Sequence, residues 1–177
     1  MKNDFFPIIL GSDENAYGTA RLFYEKYGIK PLMLCTRALV PTCFSNILKI
    51  KRIEGFDSEE IFSKELRAVL EELKGDYEKL IVIPCSDYYT ELLVNTYDQY
   101  SGMIANRFIS KELLSKVGTK DEFYKLCDEY GLDYPKTVIC RPEERVSVID
   151  RLGFDFPIVV KPENSNAVEY LHCRFEG

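Results

Sequence analysis

Lys161 stands directly after a short β-branched run, Ile158-Val159-Val160, which is bounded by Pro157 and Pro162. Such a run reads as a buried strand, and Pro162 fixes the backbone behind the lysine. An ammonium at the mouth of a strand, followed by a loop holding Asn164, Ser165 and Asn166, suits a polyanion. Lys brings a compact point charge, and the loop brings donors to phosphate oxygens. The plainer alternative is a solvated strand end, since Lys is rarely buried. Two acidic loops form a second group. Gly11-Ser12-Asp13-Glu14-Asn15 separates an expected strand from an expected helix, and Ser86-Asp87-Tyr88-Tyr89 does the same further on. Strand-to-helix turns are the usual ligand position in an open α/β sheet. Asp13 and Asn15 would serve equally as plain helix caps.

Other chemistries are excluded or unsupported. The six cysteines, Cys35, Cys43, Cys85, Cys127, Cys140 and Cys173, include no C-x-x-C pair. Zinc sites need paired ligands at short spacing, so these read as reduced, mostly buried thiols. The single histidine, His172, has no local triad partner and takes no role. Neither G-x-G-x-x-G nor G-x-x-x-x-G-K-[ST] occurs. That leaves a nicotinamide-dependent Rossmann enzyme without its fingerprint and excludes a P-loop by motif.

The elements that must position these residues follow from periodicity. Phe5 to Gly11 reads as a first strand, and Ala16, Ala20, Phe23 and Tyr27 fall on one helical face that Gly28 ends. Lys30 to Thr36 and the alternating Ile47 to Ile53 read as strands. Asp57-Ser58-Glu59-Glu60 reads as a capping-box start for a helix to about Lys74, with Ile61, Leu66, Val69, Leu70 and Leu73 as its apolar set. Glu78 to Cys85 is a near-continuous apolar run, the pattern of a central parallel strand, and a helix through about Tyr97 follows. In a parallel sheet the Asp13 and Asp87 loops share one edge. Residues 1–105 are therefore expected to form a doubly wound α/β unit.

The character changes near Arg107. A short helix, Ser110 to Lys116, precedes a second that opens on the capping box Thr119-Lys120-Asp121-Glu122. Its apolar face is Phe123, Leu126, Cys127 and Tyr130, and Gly131 stops it. A strand over Tyr134 to Cys140, a helix over Pro142 to Leu152 and a strand over Phe156 to Lys161 are expected next.

Composition sets the bounds. The chain has 177 residues, 46% hydrophobic and 29% charged, with net charge -6. One domain or two small ones fit that length. The absence of a basic block argues against non-specific nucleic-acid binding. No apolar run approaches the ~20 residues of a spanning helix, and the N-terminus has no secretory pattern. The expectation is a cytoplasmic protein with no membrane span.

The order Thr119-Lys120-Asp121, then Tyr130-Gly131-Leu132-Asp133-Tyr134-Pro135-Lys136-Thr137, then Phe156-Pro157-Ile158-Val159-Val160-Lys161-Pro162 resembles the ATP-grasp superfamily. The resemblance implies that Lys120 and Lys161 approach ATP phosphates. It also implies that residues 1–105 are a pre-ATP-grasp domain and 106–177 the first α+β subdomain of an ATP-grasp fold, truncated. A closer resemblance covers nearly the whole chain. Pro7-Ile8-Ile9-Leu10-Gly11-Ser12-Asp13, Ala16-Tyr17-Gly18-Thr19-Ala20-Arg21 and Asn166-Ala167-Val168-Glu169-Tyr170-Leu171, running into Phe175-Glu176-Gly177, are similar to the bacterial D-aspartate ligase group. Similar sequences are also described as carbamoyl-phosphate-synthetase-like. The loop after Lys161 departs from biotin carboxylase relatives, having Asn164, Ser165 and Asn166 in place of a glycine-rich run.

What the resemblance implies is an ATP-dependent carboxylate–amine ligase acting through an acylphosphate, D-aspartate ligase-like, in cell-wall peptide synthesis. ATP and Mg2+ would be its cofactors. The family's magnesium ligands and adenine-contacting linker lie in a C-terminal half to which nothing here matches, so no metal ligand and no catalytic residue is assigned. Asp13, Asn15, Arg21 and Asp87 are the substrate-side candidates, on loop position alone. The partners implied are a small-molecule carboxylate and an amine, and a homodimer stays open. The competing class is a non-catalytic small-molecule or protein binding module of pre-ATP-grasp type.

Overall fold

The structure is a computed structural model that describes residues 4–144 and 147–161. Pro162, the loop Asn164 to Asn166, the Asn166–Leu171 and Phe175–Gly177 matches, His172 and Cys173 lie outside the described residues. The chain divides into two compact units, Met1–Lys111 and Glu112–Gly177.

In the first unit four parallel strands run in the order β3-β2-β1-β4. They are β1 (Phe5–Leu10), β2 (Leu32–Cys35), β3 (Lys49–Arg52) and β4 (Lys79–Pro84). Period-two alternation sends β1 and its neighbours into two cores. Phe6, Ile8, Leu10, Leu34, Leu80 and Val82 face one side of the sheet. There they meet Phe62, Leu66, Val69 and Leu70 of α3 (Glu59–Leu73) and Leu92 and Leu93 of α4 (Asp87–Thr96). Ile9 and Met33 face the other side and meet Ala16 and Ala20 of α1 (Glu14–Tyr27). Helices therefore cover both faces, the α/β arrangement expected from the sequence. Full burial of each large side chain here is worth about 1.5–3 kcal/mol.

Pro7 lies in a strand that has neighbours on both sides, a place where proline normally costs a ladder bond. Gly11 N donates to Leu34 O, so odd-numbered residues of β1 face β2. Pairing with β2 begins only at Ile8 opposite Leu32. The missing N–H of Pro7 thus falls beyond the start of the β1–β2 pairing.

Helix α1 starts and stops where its chemistry requires. Asp13 has extended backbone and its side chain accepts from Ala16 N, while Gly28 ends the helix at φ 67. At that φ a Cβ would be strained, so glycine is required there. α3 differs from expectation. Its N-cap is Ser58, not Asp57, and Ser58 Oγ turns back to donate to Gly55 O. Phe62, absent from the expected apolar set, is fully buried. A four-residue helix α2 (Val40–Cys43) after β2 was not expected.

β4 corrects a larger expectation. Among the described residues its apolar run is the last strand of the sheet, not a central one. An apolar run reports that both faces are covered; it does not report neighbours in the hydrogen-bonding direction. The outer side of β4 is met by Ala105 N, which donates to Leu80 O at 2.8 Å, and by the Asn106 side chain.

In the second unit α5 (Lys111–Val117) leads to α6 (Lys120–Tyr130). Thr119 caps α6 by accepting from Glu122 N, and Gly131 ends it in the left-handed region, both as expected. Beyond it the expectations fail. Tyr134 to Cys140 and Phe156 to Lys161 form no strand, and Pro142–Glu144 and Ser147–Arg151 are short 3-10 turns in place of one helix. A strand exists only with a partner to take its amides, and neither segment pairs among the described residues. Val159 and Val160 are 80% and 85% exposed, so the run before Lys161 is not buried. The apolar face of α6 is likewise only partly covered: Cys127 is buried, but Phe123 and Tyr130 are exposed. No helix among the described residues is long and apolar enough to cross a membrane.

Candidate functional site

Chain order reverses between β1 and β4. From β1 the chain moves to β2 and β3 on one side, then returns to β4 on the other. The crevice outside the carboxyl ends at such a switch is where open α/β sheets bind ligands. Leu10 pairs with Pro84 at that edge, so the loops after β1 and β4 are neighbours. The Asp13 and Asp87 loops thus share one edge, as expected.

Each loop is fixed by its own polar atoms. After β1, Ser12 is buried; its Oγ donates to Arg37 O at 2.7 Å and accepts from Leu39 N at 3.3 Å. The Thr42 hydroxyl lies 2.9 Å from Ser12 O and 3.1 Å from Leu39 O. These contacts bind the β1–α1 loop to the β2–α2 segment. After β4, Ser86 Oγ accepts from Tyr89 N at 3.2 Å and caps α4. Gly11 makes the floor between them possible. Its φ is 117, and a Cβ there would touch Cys85 Cβ and the Tyr89 ring at 3.6 and 3.7 Å.

The floor is apolar enough to perturb its ionisable groups. Burial pushes the Cys85 thiol up, opposed by contact with the Thr19 hydroxyl at 3.7 Å and reinforced by the Asp13 charge. Burial also raises Tyr89, against hydrogen bonding from Thr36. Thr36 Oγ1 itself is fully shielded and makes no hydrogen bond of ordinary geometry, so its contact with Tyr89 is weak. Cys35 is raised by burial, opposed by Ser12 and the Arg52 charge. Thiolates and a phenolate are therefore disfavoured here, and none of these groups is set up as a nucleophile.

The expected substrate-side residues are not equally placed. Asp13 accepts the Ala16 amide at 3.0 Å, so the capping role is occupied by the very carboxylate that was a ligand candidate. Asn15 is exposed in the first turn of α1, and Asp87 opens α4 at the same edge. Arg21 lies seven residues into α1, about 10 Å from its start, and pairs with Glu25 at 2.6 Å on an exposed face. Acidic Asp13, Glu14 and Asp87 stand at the ends of β1 and β4, and Arg37 and Arg52 at the ends of β2 and β3. The edge thus carries both signs, a disposition that suits a molecule with both an ammonium and a carboxylate. Arg37 was not singled out from the sequence, and Ser12, Tyr89 and Cys85 were read only as members of their loops or as a buried thiol. Their only signal was position beside a strand end.

Lys120 and Lys161 both belong to the second unit. Lys120 is the first residue of α6 and lines an open hollow with Gly118, Thr119, Tyr124 and Tyr134. Tyr124 and Tyr134 stack there at 4.6 Å, and Tyr134 OH donates to both Asp128 oxygens, at 3.0 and 3.2 Å. A lysine beside helix amides fits a phosphate in type and charge. Lys161 is exposed and is not part of that lining. Among the described residues no group of three or more His, Cys, Asp or Glu is arranged to hold a metal ion.

No family model matches the chain. By sequence the chain is 39% identical to the D-aspartate ligase of Enterococcus faecium (strain Aus0004), over 98% of its own length and 42% of that protein. The chain thus spans less than half the length of this relative. By structure it is similar to phosphoribosylglycinamide synthetase from Anaerococcus prevotii, at TM-score 0.49 and 15% identity, covering 85% of this chain and 36% of that one. The resemblance to D-aspartate ligase stands on the sequence match and runs through both units of the chain.

Proposed function

We propose that the chain is the N-terminal part of an ATP-dependent carboxylate–amine ligase that joins a small amino acid to an amine, with D-aspartate as the acid. The observation that carries this is the 39% identity to a D-aspartate ligase over 98% of the chain. The switch edge is compatible with it, because Asp13, Glu14 and Asp87 follow β1 and β4 while Arg37 follows β2, so charges of both signs stand along that edge. A role in cell-wall peptide synthesis follows from the same resemblance, with an amine-bearing peptide as the second substrate.

In this reading each unit has its own task. The first unit binds and orients an amino acid at the Ser12–Asp13 and Ser86–Asp87 loops, held rigid by the Ser12 and Ser86 hydroxyls. The second unit presents Lys120, with the amides that open α6, to phosphate oxygens. Lys161 adds a second ammonium. ATP, when bound, supplies the phosphoryl group that activates a carboxylate for attack by an amine. The lysines neutralise phosphate charge as it shifts. Magnesium ligands are not assigned to any residue described here. The protein is proposed to be cytoplasmic, where ATP is available.

The test is phosphate release by the full-length protein across a panel of D- and L-amino acids, with and without a lysine-containing peptide. Release that depends on D-aspartate supports the reading. Binding of an amino acid with no nucleotide turnover under any combination favours a binding module instead.

A further inference from the structure

The end of β2 is where the loops of the switch edge converge. Ser12, after β1, donates its hydroxyl to Arg37 O at 2.7 Å and accepts from Leu39 N at 3.3 Å. Thr42 is fully buried, and its hydroxyl donates to Ser12 O at 2.9 Å. Tyr89, after β4, lies against Gly11 and reaches Thr36, the residue before Arg37. The main chain at Arg37 is thus fixed against the loops that follow both β1 and β4.

Any residue could supply the carbonyl that Ser12 uses, yet this position carries a guanidinium. Arg37 is exposed and forms no ion pair among the described residues. Arg21 and Arg67 of the same unit each pair with a glutamate one helical turn on, at 2.6 and 2.9 Å. Arg52 ends β3, one strand further from the switch, whereas β2 adjoins β1. Charge of the opposite sign stands beside Arg37. Asp13 follows Ser12 directly, and one of its oxygens accepts from Ala16 N at 3.0 Å. Its charge also reaches the floor of the edge, where Cys85 is raised first by burial and further by that carboxylate. The Ser12–Arg37 hydrogen bond therefore sets the separation between the Asp13 and Arg37 main chains. An α-amino acid carries its ammonium and carboxylate on one carbon and can meet both at once. A guanidinium takes a carboxylate through two parallel N–H bonds, and a pinned backbone lowers the ordering cost of binding.

We infer that Arg37 is a specificity-determining residue of the amino-acid site. It takes the α-carboxylate of the substrate while Asp13 takes the α-ammonium, and Ser12 is the positioning residue that sets their separation. The inference rests on the amino-acid substrate proposed above and adds which of its groups this chain recognises. For D-aspartate the pairing leaves the side-chain carboxylate outside, as the acid to be activated.

The test matches a change in the protein to a change in the ligand. The full-length protein and its Arg37→Ala variant are titrated by calorimetry, without nucleotide, with D-aspartate and with β-alanine, which lacks only the α-carboxylate. Phosphate release with ATP and D-aspartate is measured on both proteins. The parent should bind D-aspartate roughly tenfold or more tighter than β-alanine, the worth of one charge-assisted contact. In Arg37→Ala that preference should disappear: D-aspartate weakens by about tenfold, β-alanine stays within about twofold. KM for D-aspartate should rise with KM for ATP unchanged. Arg37→Lys, which keeps the charge without the fork, should fall between. Should Arg37→Ala not fold, Arg37→Gln takes its place with the same expectations. Equal weakening of both ligands would mark a structural role and overturns the inference, as does unchanged D-aspartate binding. A preference that disappears as expected, with no nucleotide turnover by the parent, upholds Arg37 and removes the ligase reading alone. Turnover by a parent that binds β-alanine as tightly as D-aspartate keeps the ligase reading and removes Arg37. A parent that binds neither ligand overturns both.

Discussion

The Ser12 hydroxyl donates to the Arg37 carbonyl at 2.7 Å, joining the loops that follow β1 and β2 across 25 residues of sequence. The same oxygen accepts from Leu39 N, so one buried atom holds both ends of the β2–α2 turn. Ser12→Ala removes the hydroxyl and leaves the Leu39 amide and Arg37 carbonyl without that partner. Stability is expected to fall by about 1–3 kcal/mol, the cost of unsatisfied buried polar groups. Urea unfolding of the 177-residue chain measures it. A loss below ~0.5 kcal/mol would mean that water replaces the hydroxyl without cost.

Asp13 can be separated into its two roles by substitution. Asp13→Ala deletes the acceptor for Ala16 N and should cost about 0.5–2 kcal/mol of stability. Asp13→Asn and Asp13→Ser keep a cap acceptor and should stay within a few tenths of a kcal/mol of the parent. If the carboxylate also meets an ammonium in the full-length ligase, Asp13→Asn raises KM for the amino acid at unchanged stability. Equal KM for parent and Asp13→Asn would leave Asp13 a cap alone.

The contrast between Asp13 and β4 shows what the sequence could convey. Caps, helix stops and faces are local: Asp13, Gly28, Thr119 and Gly131 each act within a few residues, and each was legible. So was the shared edge of the Asp13 and Asp87 loops, because parallel strands joined by helices have no other arrangement. The place of β4 in the sheet was not legible. Its apolar residues report cover from α3 and α4, while the group that closes its edge, Asn106, lies 24 residues away. Tyr134 to Cys140 and Phe156 to Lys161 have strand-forming composition, but propensity cannot supply a pairing partner. Ser12 was unreadable as a link because its partners, Arg37 and Leu39, carry no signal for it.

Alkaline pH should weaken the first unit through Tyr100. Burial raises its phenol from 10 to about 12, against the hydrogen bond with Thr96. The folded state thus holds its proton where the unfolded state releases it. The stabilisation is complete below about pH 10 and is lost as pH rises through about 12. Tyr88 and Tyr89 are raised as well and act in the same direction. Tyr100→Phe should flatten the loss of stability between pH 10 and 12 while lowering stability at pH 7 through the lost Thr96 contact. An identical alkaline limb in the variant would remove Tyr100 as its source.

Lys120→Ala and Lys161→Ala address the nucleotide reading in the full-length protein. Loss of one charge-assisted phosphate contact should cost about 1.5–3 kcal/mol, or roughly ten- to hundredfold in kcat/KM for ATP. Lys120 sits at the first turn of α6 beside its amides, so its loss should weaken phosphate binding. Unchanged ATP kinetics in either variant would return that lysine to ordinary surface charge.

The 177-residue chain by itself should bind ATP weakly. Lys161 is exposed and follows Val159 and Val160, which are also exposed, so an ion pair there forms in water. Lys120 lies at an open hollow, where the phosphate would stay hydrated. Exposed pairs of this kind contribute about 0–1 kcal/mol each and are screened by salt. A few such contacts, beside the apolar wall that Val117, Phe123, Pro135 and the Tyr124–Tyr134 stack give the open hollow, reach about 4 kcal/mol at most, a Kd of about 1 mM. The first unit differs: its cores are closed on both faces of the sheet and its switch edge is built from buried anchors, so the amino-acid binding proposed for it is expected not to depend on the nucleotide. Calorimetry on the chain, first with ATP and Mg2+ and then with D-aspartate, separates the two sites. Millimolar or weaker ATP binding is expected, and D-aspartate binding unchanged by ATP. Micromolar ATP binding would show that the nucleotide contacts lie in a closed site other than the Lys120 hollow.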